Sequence, residues 1–226
     1  MLVYSGIAST AFRILLAKPM TNRKALFLAL VITGVASAEA RVYDIRPGDP
    51  GRAELTIEKT GLLSGKKHLF IFSQYDGTLR FDSANATAST VEFSLRAGSI
   101  LCQDTWLGAK DLRKVQEYAT KDMLAADRYP KISFRSIAIR KVDAIRYEVE
   151  GILTIRDVSK LTVIAASLTG SSAEPLSIEG TARVRLTDFG LKPPTAALGT
   201  IGTKNEMFFH FFLPAIARTE SSRAGE

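Results

Sequence analysis

Apolar and polar residues alternate with a period of two through most of the chain after residue 42, and this pattern constrains the fold more than any other feature. The longest alternating run is IRYEVEGILTI, residues 145–155. Because successive side chains of a β-strand point to opposite faces of the sheet, such a run predicts a strand with one buried and one solvated face. Similar runs are AELTIE at 53–58, GTLRFD at 77–82, TVEFSLR at 90–96 and SIEGTARVRL at 177–186.

Turn-forming residues separate the alternating runs at short intervals, as at Ser64-Gly65 and Asp76-Gly77. Many short strands predict an antiparallel sheet that covers its apolar face by closing into a barrel or by stacking as a sandwich. One segment departs from the pattern, because residues 110–128 have apolar residues at helical spacing and predict one or two short helices. We find no repeat and no linker, so one all-β domain is expected.

The apolar faces of the strands can either enclose a ligand cavity or pack together into a filled core, and the pattern alone leaves both open. A closed sheet of about eight strands has an interior wide enough for a small apolar ligand, whereas a sandwich fills its core with the same side chains. Small residues at Gly151, Gly180 and Ala182 are expected to leave room. The residues predicted to line such an interior are Phe81, Phe93, Leu95, Phe134, Ile145, Tyr147, Val149, Leu153, Ile155, Val184, Phe209 and Phe211.

The N-terminal part of the chain has the organisation of an export signal. From Met20, two basic residues precede an apolar run and two A-x-A cleavage sequences that end at Ala38 and Ala40. The apolar run is shorter than the roughly 20 residues that a membrane-spanning helix needs. The predicted segments are an upstream extension at 1–19, a cleavable signal peptide at 20–40, a barrel domain at 41–215 and a polar C-terminal tail at 216–226.

Charge and cysteine content argue against several classes of function. The net charge is +7, but charges alternate in sign along the chain instead of forming the basic stripe of a nucleic-acid-binding protein. Cys102 is the only cysteine, which excludes an internal disulfide framework and a cysteine-rich metal site. We predict that Cys102 is a small buried side chain, and that the protein has no metal and no nucleic-acid partner.

The segment GILTIRDVSKLTVI at 151–164 has an aspartate, a serine and a lysine within four positions, from Asp157 to Lys160. These residues would suit a reactive cluster or a solvated turn, and we favour the turn because Asp and Ser side chains bond to nearby backbone. His68 and His210 show no short metal-ligand spacing and belong to no catalytic motif. No catalytic residue is predicted, and the protein is not expected to be an enzyme.

Five stretches of the chain follow one another in an order that is typical of a known family. The most specific is Tyr-Pro-x-Ile-x-Phe at 129–134, and the next is Gly-x-Leu-Thr-Ile-x-x-Val-Ser-Lys at 151–160. The others are VYDI at 42–45, KTGLLSGKKHLFIFSQYDGTLRFD at 59–82 and DFGL at 188–191. Together they resemble the YceI-like family of exported bacterial polyisoprenoid-binding proteins, from about residue 42 to about residue 213.

The resemblance implies a lipocalin-like, extended antiparallel β-barrel of about eight strands whose long apolar interior takes a polyprenyl chain or a similar amphiphile. It implies a periplasmic location, frequent homodimers and a link to quinones or to membrane partners of the cytochrome b561 type. It supplies no catalytic residue and no cofactor other than the bound lipid. The chain departs from the family at Asp157, where glycine is usual, and at Leu186, where arginine is usual.

The sequence therefore predicts a periplasmic protein that sequesters or carries a polyisoprenoid-type lipid, such as a quinone or a polyprenyl phosphate. Lys66, Lys67, Trp106 and the 192–204 loop are predicted to form the mouth of the pocket, where polar groups would set the head-group preference. Two alternatives stay open. One is an enzyme with a buried ionisable group facing the cavity, and the other is a ligand-free stress or interaction protein with a filled barrel.

Overall fold

In the computed structural model, which describes residues 40–170 and 175–218, the alternating segments of the sequence are β-strands. The helical spacing at 110–128 corresponds to helix α1 (Ala109–Glu117), which continues as a π-helical turn over Tyr118–Met123. The strands are β1 (Arg41–Ile45), β2 (Arg52–Gly61), β3 (Lys67–Phe72), β4 (Tyr75–Phe81), β5 (Thr90–Arg96), β6 (Ile100–Cys102), β7 (Lys131–Lys141), β8 (Arg146–Ile155), β9 (Val158–Thr169), β10 (Leu176–Arg185), β11 (Thr195–Ala196) and β12 (Ile201–Ala217).

The sheet closes into a barrel because its last long strand returns to its first. The strands β1, β4, β5, β7, β8, β9, β10 and β12 are hydrogen-bonded in this order, and β12 pairs again with β1. Tyr43 lies opposite Ala217 across the closing pair. All of these pairs are antiparallel. The predicted fold class, an extended antiparallel barrel of about eight strands, is therefore confirmed.

The barrel is lengthened at one end because three of its strands continue in a second piece. Along one edge of β12, β1 pairs with the C-terminal part and β2 with the N-terminal part, so β1 and β2 lie end to end. Strands β3 and β4 form a second such pair, and β5 and β6 a third. The backbone N–H of Ser73 donates to the carbonyl of Ser99 at 3.2 Å and bridges the last two pairs at their breaks. This extension carries the inner face of the sheet toward α1.

Strand β8 follows the predicted alternation except at its start. Its inward positions from Tyr147 to Ile155 are buried, as predicted. Ile145 is 47% exposed, so the prediction that it faces the interior is wrong. The carboxylate of Asp143 accepts hydrogen bonds from the backbone N–H groups of Ile145 and Arg146, and this turn ends the alternating segment one residue earlier than the sequence pattern suggests.

Gly151 and Gly180 do not leave the room that the sequence predicted. A Cβ atom at Gly151 would lie 2.4 Å from Cζ of Phe134, and one at Gly180 would lie 2.3 Å from Cζ of Phe211. The space above each glycine is therefore filled by a phenylalanine ring from the neighbouring strand. The prediction was wrong because alternation within one strand carries no information about the side chain that the next strand places beside it.

The segment 151–164 is a β-hairpin. Its strands are joined by the two-residue turn of Arg156 and Asp157, with Ile155 opposite Val158. The left-handed backbone belongs to Arg156, whose φ is 58°, and not to Asp157. A positive φ at the first central position alone is the pattern of a type II′ turn. Asp157 therefore occupies the position where the family usually has glycine without adopting a left-handed conformation.

The two ends of the chain lie only partly within the described residues. Ile216 and Ala217 pair with β1, so the last strand extends beyond the boundary predicted at residue 215. The predicted upstream extension and signal peptide lie outside the described residues, except for Ala40, and so does the tail after residue 218. Within the described part of the chain, no helix combines the length and the apolar character needed to cross a membrane.

Candidate functional site

Three cavities follow one another along the inner face of β12. The largest, of about 320 Å³, lies beside α1 and has Met207 in its wall. The next, of about 50 Å³, lies at Phe209, and the third, of about 90 Å³, lies at Leu213. Because Met207 and Leu213 are six residues apart on one strand, the row extends over about 20 Å. We call these spaces the helix-side, central and far cavities.

Helix α1 forms the outer wall of the helix-side cavity. Val115 and Ala119, one helical turn apart, line the cavity. The side-chain amide of Gln116 fixes the helix to β6, since its Nε2 donates to the carbonyl of Ile100 at 2.5 Å and its Oε1 accepts from the N–H of Cys102 at 2.7 Å. Because β6 pairs with one strand only, Gln116 satisfies backbone groups on its other edge.

Most of the wall of the helix-side cavity is apolar, and a few polar residues interrupt it. Aliphatic and aromatic side chains come from β2, β3, β6, α1 and β12, and Leu186, where the family usually has arginine, is one of them. The polar residues in the wall are Lys59, His68, Lys114, Tyr118, Thr195 and Thr203. The cavity thus combines an apolar interior with a small number of groups that could orient a polar head.

Lys59 places an ammonium group in this wall. It continues the inward alternation that Leu55 and Ile57 begin on β2, and it is only 9% exposed. Among the described residues, its ammonium group has no hydrogen-bond or ion-pair partner. Burial lowers the pKa of Lys59, and the negative charge of Asp104 opposes this shift.

His68 lies beside Lys59 in the wall and is held by a buried carboxylate. Its Nδ1 is 2.5 Å from Oδ2 of Asp104, and Oδ1 of the same carboxylate accepts the backbone N–H of Leu69 at 2.8 Å. Burial lowers the pKa of His68, while the hydrogen bond to Asp104 and its charge act in the opposite direction. The ring of Trp106 packs on His68 with a centroid distance of 5.6 Å.

Cys102 belongs to the same buried group but has the properties of an unreactive thiol. Its sulfur lies within 4.8 Å of a ring nitrogen of His68 and of a carboxylate oxygen of Asp104. Burial raises the pKa of Cys102 to about 11. The thiol is therefore protonated at neutral pH, whereas the thiolate is the form that reacts and binds metals.

The side chains of His68, Cys102 and Asp104 offer three atoms that lie within 4.8 Å of one another. A nitrogen, a sulfur and an oxygen donor are a set that Zn²⁺ accepts. Here, however, the carboxylate already bonds to His68 and to the backbone N–H of Leu69, and the positive charge of Lys59 acts on the group. We therefore describe the three residues as a hydrogen-bonded support for the cavity wall, and the absence of a metal stays a prediction.

The residues predicted to line the interior divide into three groups. Nine of them line the central or the far cavity, and Phe93, Phe134 and Phe211 line both. Ile155 and Val184 are buried in the packed core outside these cavities, and the twelfth residue, Ile145, is exposed. None of the twelve predicted residues lies in the wall of the helix-side cavity. The nine are Phe81, Phe93, Leu95, Phe134, Tyr147, Val149, Leu153, Phe209 and Phe211.

The residues predicted for the mouth are placed differently from one another. The 192–204 loop contributes Thr195 and other residues to the helix-side cavity, in agreement with its predicted place. Lys66 and Lys67 are exposed, and neither they nor Trp106 lies in the cavity wall. The indole Nε1–H of Trp106 instead donates to the carbonyl of Lys67 at 2.9 Å, and the ring packs against His68.

Sequence reasoning missed Lys59 and Asp104. The signal for Lys59 was present, because extending the alternation of Ala53, Leu55 and Ile57 by one step places a lysine on the inner face. Asp104 carried no such signal, since it follows β6 in an irregular segment and meets His68 only through the fold.

A sequence profile of the YceI-like domain matches residues 48–212. The chain belongs to this family. Among YceI-like relatives, the UPF0312 protein of Pseudomonas savastanoi pv. phaseolicola is 29% identical over 178 residues, a match that covers 75% of this chain and 85% of the relative. A UPF0312 protein of Pseudomonas putida strain W619 is 28% identical over 169 residues, covering 68% and 84%.

Two solved structures share the fold. BcnA of Burkholderia cenocepacia superposes with a TM-score of 0.57 at 18% identity, covering 72% of this chain and 95% of that chain. A polyisoprenoid binding domain from Saccharophagus degradans, implicated in plant cell wall breakdown, gives a TM-score of 0.53 at 11% identity, covering 77% and 98%. At these identities, the likeness establishes the barrel and carries no ligand to this YceI-like chain.

Proposed function

We propose that this YceI-like protein binds the apolar chain of a polyisoprenoid-type amphiphile, such as a quinone or a polyprenyl phosphate, and sequesters or carries it in the periplasm. The observation that carries the proposal is the row of three cavities along β12, whose walls are mostly aliphatic and aromatic. Burial of an apolar chain in such a space contributes about 25 cal/mol for each Å² removed from water.

Two phenylalanine rings stand between the central and far cavities. Phe134 and Phe211 line both spaces, and each ring lies against a glycine of the neighbouring strand. Because a glycine has no side chain, each ring packs on the sheet instead of crossing the interior. A long chain that occupies both cavities would pass beside these two rings.

The comparisons support the ligand class. A solved domain with this fold is named for polyisoprenoid binding, and the chain belongs to the YceI-like family over most of its length. The homodimer, the cytochrome b561-type partner and the periplasmic location stay predictions that follow from the resemblance and the N-terminal sequence.

The enzyme alternative required a buried ionisable group facing the cavity, and Lys59 and His68 are such groups. Catalysis also requires a nucleophile or a substrate-activating base within hydrogen-bond reach of its partner. Among the described residues, the ring of His68 bonds only to Asp104, and no hydroxyl group lies within hydrogen-bond reach of it. We therefore propose a binding role without catalysis.

The proposal is tested by identifying lipid that co-purifies with the protein from its native host by mass spectrometry, and by measuring the binding of geranylgeraniol to the delipidated protein. Ala182→Leu fills the central cavity and is expected to weaken binding. Ala165→Leu adds the same groups to the exposed face of β9 and serves as the matched control. Absence of both a stoichiometric lipid and geranylgeraniol binding would refute the proposal.

A further inference from the structure

The side chain of Lys59 is 9% exposed in the wall of the helix-side cavity, and among the described residues its ammonium group has no hydrogen-bond or ion-pair partner. Removing a charged group from water is costly unless an opposite charge or hydrogen bonds compensate it. The other lysine in this wall, Lys114, pairs with Asp111 at 3.3 Å. A charge that faces a mostly apolar cavity and has no direct partner is a feature of a binding site whose ligand supplies that partner.

Asp104 does not supply that partner within the protein. No ion pair joins its carboxylate to Lys59, because no nitrogen–oxygen distance between them falls within 4.0 Å. Its two oxygens bond to His68 and to the backbone N–H of Leu69. These bonds hold the carboxylate in place. The Lys59 ammonium group is therefore available to a ligand in the cavity.

We propose that the helix-side cavity holds an anionic head group, a phosphate or a carboxylate, and that Lys59 is its counter-ion, an inference that rests on the proposed function. An ammonium group in an apolar wall favours an anion over a neutral alcohol or quinone, because charge-assisted hydrogen bonds are the stronger ones and a neutral head leaves the charge uncompensated. The apolar tail of the same molecule then extends toward the central and far cavities. The inference narrows the ligand from isoprenoid amphiphiles in general to acidic ones.

The test uses three probes with the same tail, namely farnesyl phosphate, farnesoic acid and farnesol, with the full chain at neutral pH. Titration calorimetry is expected to show both anions binding at least about tenfold more tightly than farnesol, the difference that a buried charge-assisted bond contributes. Lys59→Met should remove this preference while keeping the affinity for farnesol. Lys66→Met, which removes an exposed lysine outside the wall, should keep it.

The outcomes separate this inference from the proposed function. Equal binding of all three probes to the unchanged protein would refute the head-group inference and leave lipid binding intact. A preference for anions that survives in Lys59→Met would also refute it. If no probe binds to any variant, the proposed function fails together with the inference. A preference for only one of the two anions would identify the acid as phosphate or carboxylate.

A second inference comes from an independent feature, the loops beside the same end of the barrel. Leu62 is 79% exposed in the turn after β2, and Leu198 is fully exposed in the loop before β12. The backbone N–H of Leu62 donates to the carbonyl of Thr200 at 3.0 Å, so the two loops are joined. Ala197 and Leu198 both have a positive φ, which holds Leu198 in an unfavourable conformation away from the core.

The two loops are rich in lysine, and one of these lysines, Lys204, pairs with Glu58. Residues 59–68 and 189–204 contain five lysines and no aspartate or glutamate. Lys66, Lys67 and Lys192 are exposed. Apolar side chains that project between basic residues suit a membrane surface that contains anionic lipids, where the side chains insert and each lysine contributes about 1 kcal/mol of attraction.

The geometry points to the Leu62 and Leu198 loops as the part of the protein that docks on an anionic lipid bilayer. The 192–204 loop also contributes to the wall of the helix-side cavity, so docking would place that cavity next to the membrane. This inference does not depend on which lipid the barrel holds.

Flotation with vesicles tests the docking inference. The full chain should float with vesicles of phosphatidylcholine mixed with phosphatidylglycerol, and less with phosphatidylcholine alone. The double variant Leu62→Gln and Leu198→Gln should lose flotation. The control is the double variant Val142→Gln and Ile145→Gln, which changes two exposed residues in the turn between β7 and β8. This variant should keep flotation. Unchanged flotation of the leucine variant, or no flotation of the unchanged protein, would refute the inference.

Discussion

The Nδ1 atom of His68 lies 2.5 Å from Oδ2 of Asp104, which joins a ring in the cavity wall to a carboxylate 36 residues later in the chain. The carboxylate also accepts a hydrogen bond from the backbone N–H of Leu69 in β3. One buried acidic side chain therefore organises the wall in which Lys59 lies. The chemistry of this wall can be tested separately from any ligand.

The first prediction concerns the acid stability of the protein. Burial lowers the pKa of His68 below its usual 6.5, so the unfolded chain binds a proton there before the folded chain does. Stability should therefore fall as the pH is lowered through the region just below 6.5, with a slope of at most about 1.4 kcal/mol per pH unit for this group. Urea unfolding at several pH values measures the slope.

His68→Asn provides the comparison, because the amide of asparagine can still donate to Asp104 but does not titrate. The variant should lose the slope in this window and keep the acid unfolding below about pH 4 that carboxylates such as Asp44 cause. A slope that is the same in both proteins would show that His68 is not its source.

The second prediction is that Lys59→Met stabilises the protein without ligand. Replacement of this unpaired ammonium, in a side chain that is 9% exposed, by an apolar side chain of similar length should raise the free energy of unfolding by about 1 to 2 kcal/mol at neutral pH. Since burial lowers the pKa of Lys59, the advantage should shrink as the pH rises and the lysine loses its charge. Lys66→Met should change stability by less than about 0.5 kcal/mol. Destabilisation by Lys59→Met would indicate a partner within the protein.

The third prediction concerns the contact between Gly180 and Phe211. Gly180→Ala would place a methyl group 2.3 Å from the Phe211 ring, so the ring must move and stability should fall by about 1 to 3 kcal/mol. In the background of Phe211→Leu, which removes the ring, the same change should cost much less. A double-mutant cycle by chemical unfolding measures the coupling, and additive effects would contradict the proposed contact.

The fourth prediction is that Cys102 resists modification in the folded protein. Its pKa is raised to about 11 and its side chain is buried, so little thiolate is present or accessible at pH 8. Labelling by a disulfide reagent should be at least about a hundredfold slower in the folded protein than in urea. Rapid labelling of the folded protein would show that the wall beside Asp104 opens readily.

The strands could be predicted because they depend on local alternation. Every second position from Tyr147 to Ile155 is buried. The hairpin turn at Asp157 follows from residues next to it in the chain. Ile145 shows the limit of this reasoning, since a turn at Asp143 decides where the strand begins. Alternation fits a closed barrel and a sandwich equally well. Only the family resemblance favoured the barrel.

The sequence by itself determined which residues become strands and which of their faces is apolar, because period-two geometry is a property of each strand alone. Only the tertiary structure decided what occupies the interior. Phe134 and Phe211 fill the space over glycines of neighbouring strands. His68 bonds to Asp104, whose charge also acts on Lys59. These contacts depend on the register between strands and on segments far apart in the chain, which no local pattern encodes.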